Sequence, residues 1–228
     1  MKISVLGTGI VGQTISNKLA DLGHEVYLGT RNANETLGRL KPNPMTGKSF
    51  ADWYKDKGNI KLNDLDKLPQ ESELFINATN GSGTINTLTK VGKDKLENKI
   101  ILDIANPLDF SKGMPPTLSI CNTDSLGEQI QREFPKSKIV KSLNTMNAYL
   151  MVNPLIVPGD HSVFVSGNDK EAKTVIENLL ISFGWKKSNI IDLGDISSAR
   201  GTEMILPIWL RLWGVLGSAE FNFHIARK

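Results

Sequence analysis

The residues best suited to chemistry in this chain form a glycine-rich stretch near its start. The pattern G-x-G-x-x-G occupies Gly7, Thr8, Gly9, Ile10, Val11 and Gly12. In this pattern the first glycine allows a tight turn, the second lets the backbone approach a pyrophosphate, and the third lets a helix pack closely against a strand. The free N–H groups and positive dipole at the start of that helix would bind the pyrophosphate. All six residues are therefore predicted to form a dinucleotide-binding turn.

The segments on either side have the structure that such a turn requires. Residues 2–6 form an apolar strand, and Ile15, Leu19 and Leu22 recur at helical spacing after the turn. A second apolar run follows at residues 25–29. Glycines also cluster in ordinary turns, so the alternative is an α/β protein that binds no nucleotide. The order strand, turn, helix, strand favours the dinucleotide site.

The end of the second strand indicates which dinucleotide is bound. Sites for NAD usually place Asp or Glu there, about 20 residues after the glycine turn, to accept a hydrogen bond from the ribose 2′-hydroxyl. This chain has Thr30 and Arg31 instead. An arginine fork fits a phosphate bidentately, and a threonine hydroxyl adds a donor. We therefore predict that Thr30 and Arg31 bind the 2′-phosphate of NADP(H); the alternative is a solvated arginine in a surface loop.

Strands and helices alternate along the chain, and this order predicts the elements that hold the turn in place. The later apolar segments predicted as strands are residues 60–62, 74–78, 99–104, 137–143, 161–167 and 190–193. The alternation is typical of the α/β class and predicts a Rossmann-like doubly wound, mostly parallel sheet. We predict a single NADP-binding Rossmann domain over residues 1–228, with a helical C-terminal extension from about residue 195 that is interrupted at Pro207.

Three small polar loops follow predicted strands and should meet at one edge of the sheet, where ligands bind in such folds. The first begins at Thr79, directly after Asn77 and Ala78 at the end of a strand, the second contains Asn106 and Pro107, and the third contains Asn144 and Thr145. Their amide and hydroxyl groups suit the fixing of a nicotinamide carboxamide, so all seven residues are predicted to line the cofactor site. The alternative for each loop is turn chemistry alone.

No residue pattern typical of a catalytic triad or a metal site is found in the sequence. The three histidines are far apart, and the patterns H-E-x-x-H, C-x-x-C and G-x-S-x-G are absent, so no catalytic residue is assigned and no metal is predicted. Amides and hydroxyls are poor general acids, which favours a small-molecule acceptor that takes the hydride itself, such as a flavin-like ring. Two alternatives stay open: an imine- or hydroxyacid-type reductase, and a non-catalytic NADP-binding redox sensor.

Composition excludes several other classes of protein. The net charge is only +3 in 228 residues, with no dense basic patch, so a nucleic-acid partner is not expected. The single cysteine, Cys121, excludes an internal disulfide. Residues 204–219 are strongly apolar, but Pro207 and Arg211 interrupt them, so we predict a helix of a water-soluble protein rather than a membrane span. The first strand starts without a signal peptide, and we expect a cytoplasmic protein.

Taken together, these motifs resemble the family of coenzyme F420-dependent NADP oxidoreductases. The resemblance rests on residues 2–12, 29–31, 103–108 and 140–145, and on residues 193–196 with Arg200 and Glu203. It implies hydride exchange between NADP(H) and a deazaflavin in a homodimeric Rossmann protein. It also implies that the glycine turn holds the pyrophosphate, that Thr30 and Arg31 hold the 2′-phosphate, and that the Asn-Pro and Asn-Thr loops lie by the nicotinamide and its acceptor.

The predicted C-terminal helix is apolar around most of its circumference. The residues concerned are Leu206, Ile208, Trp209, Leu212, Trp213, Val215 and Leu216. This is more apolar surface than one face of a sheet can cover, and large exposed patches are normally covered by a partner. We therefore predict a two-fold homodimer through this helix. The alternative is a helix buried wholly within its own chain.

Overall fold

The computed structural model describes residues 1–226. Its strands are β1 (Lys2–Leu6), β2 (Glu25–Thr30), β3 (Ile60–Asp64), β4 (Leu74–Asn77), β5 (Ile100–Asp103), β6 (Leu108–Asp109), β7 (Thr117–Leu118), β8 (Lys138–Ser142), β9 (Val163–Gly167) and β10 (Ile190–Asp192). Its α-helices are α1 (Ile10–Asp21), α2 (Ala33–Leu37), α3 (Phe50–Tyr54), α4 (Thr84–Val91), α5 (Lys93–Leu96), α6 (Leu126–Glu133), α7 (Ala148–Val152), α8 (Lys170–Phe183) and α9 (Ala199–Leu216).

Eight of the strands form one twisted sheet in the order β10-β9-β8-β5-β4-β1-β2-β3. All neighbouring pairs are parallel except β8 and β9, which run antiparallel. The chain starts in the middle of the sheet at β1, builds outward through β2 and β3, and then returns to β4 on the other side. This arrangement confirms the predicted Rossmann-like, mostly parallel sheet, and it places a topological switch point between β1 and β4.

Helices cover both faces of the sheet, because strands buried on two sides need an apolar layer on each. On one face, Ile15 of α1 and Ile176 of α8 pack with Val5 of β1 in a single buried cluster. On the other face, Leu88 of α4 and Ile130 of α6 belong to a second cluster. The sheet is therefore a rigid support whose carboxyl edge is left free for loops.

The C-terminal helix differs from its prediction at Pro207. The helix α9 runs without interruption from Ala199 to Leu216, although a proline inside a helix costs about 3 kcal/mol. Leu206 and Trp209 are both buried, and burial of each large apolar side chain contributes about 1.5–3 kcal/mol, which offsets the cost. The helix ends at Gly217, whose φ of +66° is the left-handed conformation typical of helix ends.

Residues 217–226 are not helical, contrary to the prediction of a largely helical end. This segment returns to the sheet, where the Ser162 N–H donates to the Phe223 carbonyl (2.8 Å) and the Asn222 amide donates to the Ser162 carbonyl (2.9 Å). Among the described residues, no helix has both the length and the apolar character needed to cross a membrane.

Candidate functional site

A cleft of about 560 Å³ opens at the carboxyl ends of β1, β2 and β4, at the switch point of the sheet. Its lining residues are Gly7, Thr8, Gly9, Gly29, Thr30, Arg31, Arg39, Leu65, Ala78, Thr79, Asn80, Ser82, Gly83, Asn86, Thr87 and Lys90. Ligands of open α/β sheets bind at this position because the strand order reverses there and leaves a crevice between neighbouring loops.

The glycine turn forms the wall of the cleft next to α1. Gly7 has a φ of +111°, and a Cβ atom there would lie 2.6 Å from the Ala78 carbonyl oxygen. A Cβ at Gly12 would lie 1.9 Å from the Gly7 carbonyl oxygen, so α1 can approach the strand only without a side chain. A Cβ at Gly9, in contrast, meets no protein atom within 4 Å. The backbone at Gly9 is therefore bare on the side where a ligand would approach.

The first turn of α1 is available to an anion. Gly9 caps the helix without any side-chain hydrogen bond, and no acidic residue lies in the first turn. The Gln13 amide donates to the Thr8 carbonyl (2.9 Å) and holds the turn in shape. Unpaired N–H groups at the start of a helix bind phosphate oxygens and are favoured by the helix dipole.

Three cations line the cleft, and none of its lining residues is acidic. Arg31 follows β2, Lys90 comes from the end of α4, and Arg39 follows α2. The Arg39 guanidinium donates to the Thr8 hydroxyl (3.1 Å), and the Lys90 ammonium donates to the Arg31 carbonyl (3.1 Å). The three cations therefore come from separate segments of the chain and surround one opening, an arrangement that suits a ligand with several phosphate groups.

The nearby carboxylate of Asp64, at the end of β3, is already occupied. It accepts hydrogen bonds from the Lys67 ammonium (2.8 Å) and from the Ala33 N–H (2.7 Å). The Lys67 contact and the Ala33 N–H hold the pKa of Asp64 below its ordinary value. Its charge is therefore balanced locally and does not take the place of the missing NAD-type carboxylate.

Thr30 is oriented differently from the expected phosphate donor. The Thr36 hydroxyl donates to the Asn32 carbonyl (2.8 Å), so its one hydrogen is used there. The contact between the Thr30 and Thr36 hydroxyls (2.8 Å) must then be donated by Thr30. In this structure Thr30 fixes the loop that carries Arg31, and Arg31 supplies the exposed cationic group.

The structure brings together part of the predicted set at the cleft. The residues that line it are Gly7, Thr8, Gly9, Thr30, Arg31, Ala78 and Thr79. The predicted residues outside the lining are Ile10, Val11, Gly12, Asn77, Asn106, Pro107, Asn144 and Thr145. Ile10, Val11 and Gly12 belong to the first turn of α1, where backbone rather than side chain faces a bound anion. Contact between the cofactor and each of the predicted residues stays a prediction.

The two asparagine loops of β5 and β8 meet each other rather than the glycine turn. The Asn106 amide donates to the Asn144 carbonyl (2.8 Å), and the Asn144 amide donates to the Asn106 side-chain oxygen (3.0 Å). Asn144 and Thr145 are buried, as is Pro107. These two hydrogen bonds hold the loops together at the carboxyl edge of the sheet. In the strand order, β5 and β8 lie on the far side of β4 from β1 and the glycine turn.

Sequence reasoning missed several lining residues. Asn86 and Lys90 are one helical turn apart on α4, directly after the loop of β4, and this i, i+4 polar face was a usable signal. Arg39 offered no comparable signal, because its position depends on how the short helix α2 folds back over the turn. Within residues 1–226 no group of three or more side chains that could hold a metal ion occurs.

A buried cluster of charges lies beside the site and was also missed. The Lys141 ammonium contacts one carboxylate oxygen of Asp103 (2.8 Å) and one of Glu203 (2.8 Å), and all three side chains are almost completely buried. Burial by itself would lower the pKa of Lys141, but the two carboxylates raise it above its ordinary value. The remaining Glu203 oxygen accepts from the Leu126 N–H at the start of α6 (2.8 Å), so α9, α6 and the sheet share one ionic centre.

Comparison with known proteins finds close and distant similarities. A family model described as NADP oxidoreductase, coenzyme F420-dependent, matches residues 2–107. The F420-dependent NADP reductase of Methanocaldococcus jannaschii is 27% identical, over 93% of this chain and 92% of its own. A solved structure from Arthrobacter sp. FB24, described as a candidate F420-dependent NADP-reductase, is 56% identical over 100% of both chains, with a TM-score of 0.94. The imine reductase of Streptomyces aurantiacus shares only the fold, with 13% identity and a TM-score of 0.58 over 95% of this chain and 64% of its own.

Proposed function

We propose, from the premise that this chain belongs to the family of coenzyme F420-dependent NADP oxidoreductases, that it transfers a hydride between NADP(H) and a deazaflavin or flavin-like acceptor. The observation that carries the proposal is the cleft at the glycine turn, where three cations and no carboxylate line the opening. Charge of this sign and distribution fits the pyrophosphate and 2′-phosphate of NADP(H) together.

The residues of the cleft fit the cofactor in two places. The bare backbone at Gly9 and the free first turn of α1 would hold the pyrophosphate. Arg31, flanked by Lys90, would hold the 2′-phosphate at the end of β2. The nicotinamide half would then extend past Ala78 and Thr79, toward the paired loops of Asn106 and Asn144. NADPH when bound supplies the hydride, and these residues bind and orient it.

The chemistry of the lining residues favours an acceptor that needs no proton from the protein. Besides Arg31, Arg39 and Lys90, the cleft is lined by small, apolar, amide and hydroxyl side chains. None of these is a good general acid at neutral pH. A flavin or deazaflavin ring takes a hydride into its own conjugated system, so it suits such a site.

A panel of acceptors tests this function. Oxidation of NADPH is followed by its absorbance with deazaflavin F420, FMN, FAD and riboflavin, each at equal concentration, and with a cyclic imine. We expect turnover with the deazaflavin above all, and slower turnover when NADH replaces NADPH. Tight NADPH binding without turnover of any acceptor would instead support the redox sensor, and turnover of the imine alone would support an imine-type reductase.

The imine-type alternative has no specific support in the structure. The chain covers 64% of the imine reductase to which its fold is similar, at 13% identity. Apart from the three cations assigned to the phosphates, the side chains that line the cleft also include no group suited to protonate the nitrogen of a substrate imine. The acceptor panel nevertheless includes an imine, so that the outcome decides between the two classes.

A homodimer and a cytoplasmic location complete the proposal. The support for the dimer is that Ile208, Val215 and Leu216 of α9 are 54%, 83% and 57% exposed, an unusual fraction for large apolar side chains. The cytoplasmic location is an expectation that cell fractionation with an antibody would test. No nucleic-acid or membrane partner is proposed.

A further inference from the structure

Arg39 reaches the cleft from the segment that joins α2 to α3, and its backbone is firmly held there. The Arg39 N–H donates to the Thr36 carbonyl (3.2 Å), and the Arg39 carbonyl accepts from the Ala51 N–H (3.4 Å). Thr36 is buried, and its hydroxyl contacts that of Thr30 at the end of β2 (2.8 Å). The position of Arg39 is therefore tied to the same strand end that leads into Arg31.

The Arg39 guanidinium extends from this segment to the glycine turn. One of its N–H groups donates to the Thr8 hydroxyl (3.1 Å). A guanidinium has five N–H donors, and within residues 1–226 the other four have no acceptor and no carboxylate pairs with the charge. Glu35, four residues earlier, is hydrogen-bonded by the Asn32 amide instead (3.0 Å). Four donors of an exposed cation therefore remain for a ligand of the cleft, which Arg39 and Thr8 both line.

The contact between Arg39 and Thr8 lies on the side of the cleft that belongs to the adenosine ribose. Strands β1 and β2 are paired in parallel, and the Gly7 N–H donates to the Gly29 carbonyl (3.0 Å). Thr8 therefore lies next to the end of β2, where the loop of Arg31 begins. In this fold the end of the second strand recognises the ribose 2′ position, whereas the pyrophosphate lies at the start of the first helix. Because Arg39 comes from the segment after β2, the 2′ position is the part of the ligand nearest to it.

The charge of a 2′-phosphate calls for a second cation at this point. A phosphate monoester carries about −1.5 to −2 charges at pH 7, because its second pKa is about 6. Arg31 supplies only one positive charge. The Lys90 ammonium is engaged with the Arg31 carbonyl (3.1 Å), and the nearby carboxylate of Asp64 is bound by Lys67 (2.8 Å). The remaining free donors on a cation of the cleft are those of Arg39.

We infer that Arg39 is a second specificity-determining residue for NADP(H), which binds the 2′-phosphate together with Arg31 and recognises its second negative charge. The inference rests on the proposed function, since it takes the ligand of the cleft to be that cofactor. The two arginines precede and follow α2, so this short helix sets their spacing. The Thr8 hydroxyl holds the Arg39 guanidinium at the cleft, and the free N–H groups bind phosphate oxygens. The pyrophosphate is left to the glycine turn and the start of α1.

Titration calorimetry with NADP⁺ and NAD⁺, which differ only in the 2′-phosphate, tests the assignment. We expect Arg39→Ala to weaken NADP⁺ binding about 10-fold, as for a lost hydrogen bond to a charged group, and NAD⁺ binding less than about 2-fold. The matched control is Lys41→Ala, which removes the same charge from an exposed residue of the same segment that does not line the cleft. It should leave the ratio of the two affinities unchanged.

The contrary outcomes are distinct from one another. Equal losses for NADP⁺ and NAD⁺ in Arg39→Ala would assign Arg39 to the pyrophosphate and overturn the inference, as would unchanged affinity for NADP⁺. A loss of the same size in Lys41→Ala would reduce the effect to general charge and overturn it too. Failure of the wild type to bind either nucleotide would overturn the proposed function, and the inference with it.

A pH series separates recognition of the charge from a structural role. Lowering the pH from about 7.5 to about 5.5 protonates the 2′-phosphate of NADP⁺ through its second pKa, whereas NAD⁺ has no phosphate that titrates there and corrects for changes in the protein. The ratio of the two affinities should fall with pH in the wild type and fall less steeply in Arg39→Ala, because the cation that favours the dianion is gone. Arg39→Lys keeps the charge without the planar fork, so it should keep the wild-type slope at a lower affinity. Equal slopes in the wild type and Arg39→Ala would overturn the inference, since a structural role lowers the affinity by the same factor at every pH.

Discussion

At the residue scale, Arg31 differs from the other two cations of the cleft because its charged group is uncommitted. Arg39 donates to Thr8 and Lys90 donates to the Arg31 carbonyl, whereas the Arg31 guanidinium makes no hydrogen bond to any residue of the described range 1–226. Its side chain is exposed and lies at the end of β2. A planar, unpaired guanidinium is well suited to bidentate recognition of the 2′-phosphate.

We predict that Arg31→Ala weakens NADPH binding by about 1.5–3 kcal/mol, the usual contribution of hydrogen bonds to a charged group. The affinity for NADH should change little, because NADH carries no 2′-phosphate. Isothermal titration of both nucleotides checks this, with Arg211→Ala as the matched control, since Arg211 is an exposed arginine on α9. Equal losses for NADPH and NADH would show that Arg31 does not read the 2′-phosphate.

At the element scale, the turn between β1 and α1 combines one open glycine with two crowded ones. Gly9→Val places a side chain where no protein atom lies within 4 Å, so the fold should survive while the pyrophosphate is blocked. We expect the variant to lose both NADPH and NADH, as measured by titration calorimetry, with a melting temperature close to that of the wild type. Gly58→Val is the control, because its added Cβ also meets no atom within 4 Å. Undiminished binding by Gly9→Val would disprove the role of the turn.

The ion pair between Glu128 of α6 and Arg200 of α9 links two helices next to the buried charge cluster. The Arg200 guanidinium donates two hydrogen bonds to Glu128 (2.8 and 2.5 Å). These bonds are the main reason that the pKa of Glu128 lies below its ordinary value, and a hydrogen bond from the Ser125 hydroxyl lowers it further. A carboxyl whose folded-state pKa is lowered stabilises the fold at pH values above its unfolded pKa, and this contribution is lost as the pH falls through the folded pKa.

We therefore predict that Glu128→Gln lowers the free energy of unfolding at pH 7 by about 1 kcal/mol. The difference from the wild type should shrink as the pH falls below the unfolded-state pKa of about 4.3, and it should disappear once the pH has passed the lowered pKa of the folded carboxyl. Urea denaturation at a series of pH values measures it. A difference that is the same at pH 3 and pH 7 would mean that the ion pair is not its source.

The elements were predictable from the sequence to a greater extent than the site. The strand–turn–helix order around Gly7, Gly9 and Gly12 has local causes, such as glycine conformation and apolar spacing, so it could be inferred without the fold. Partners that are distant in sequence could not be inferred this way. Arg39 reaches Thr8 across 31 residues, and Lys141 meets Glu203 only because α9 returns to the sheet.

At the scale of the whole molecule, α9 divides its apolar residues between two surfaces. Leu206 and Trp209 are each 7% exposed, and the Trp209 ring packs on Phe221 with centroids 5.2 Å apart. Ile208 and Val215 are seven residues apart, two helical turns, and lie on one outer face. The helix is thus neither buried wholly in its own chain nor wholly free.

This division decides how the predicted homodimer should be tested. Trp209 is a poor target, because Trp209→Glu would bury a charge against Phe221 and disturb the fold of the single chain. Ile208→Glu combined with Val215→Glu changes only exposed positions, so each chain should keep its melting temperature and its NADPH affinity. If two copies pack through this face, the wild type will scatter light as a dimer at micromolar concentration and the double variant as a monomer, because each interface would then contain four buried carboxylates. A wild type that is already monomeric at that concentration would refute the homodimer and leave the outer face of α9 as ordinary exposed surface.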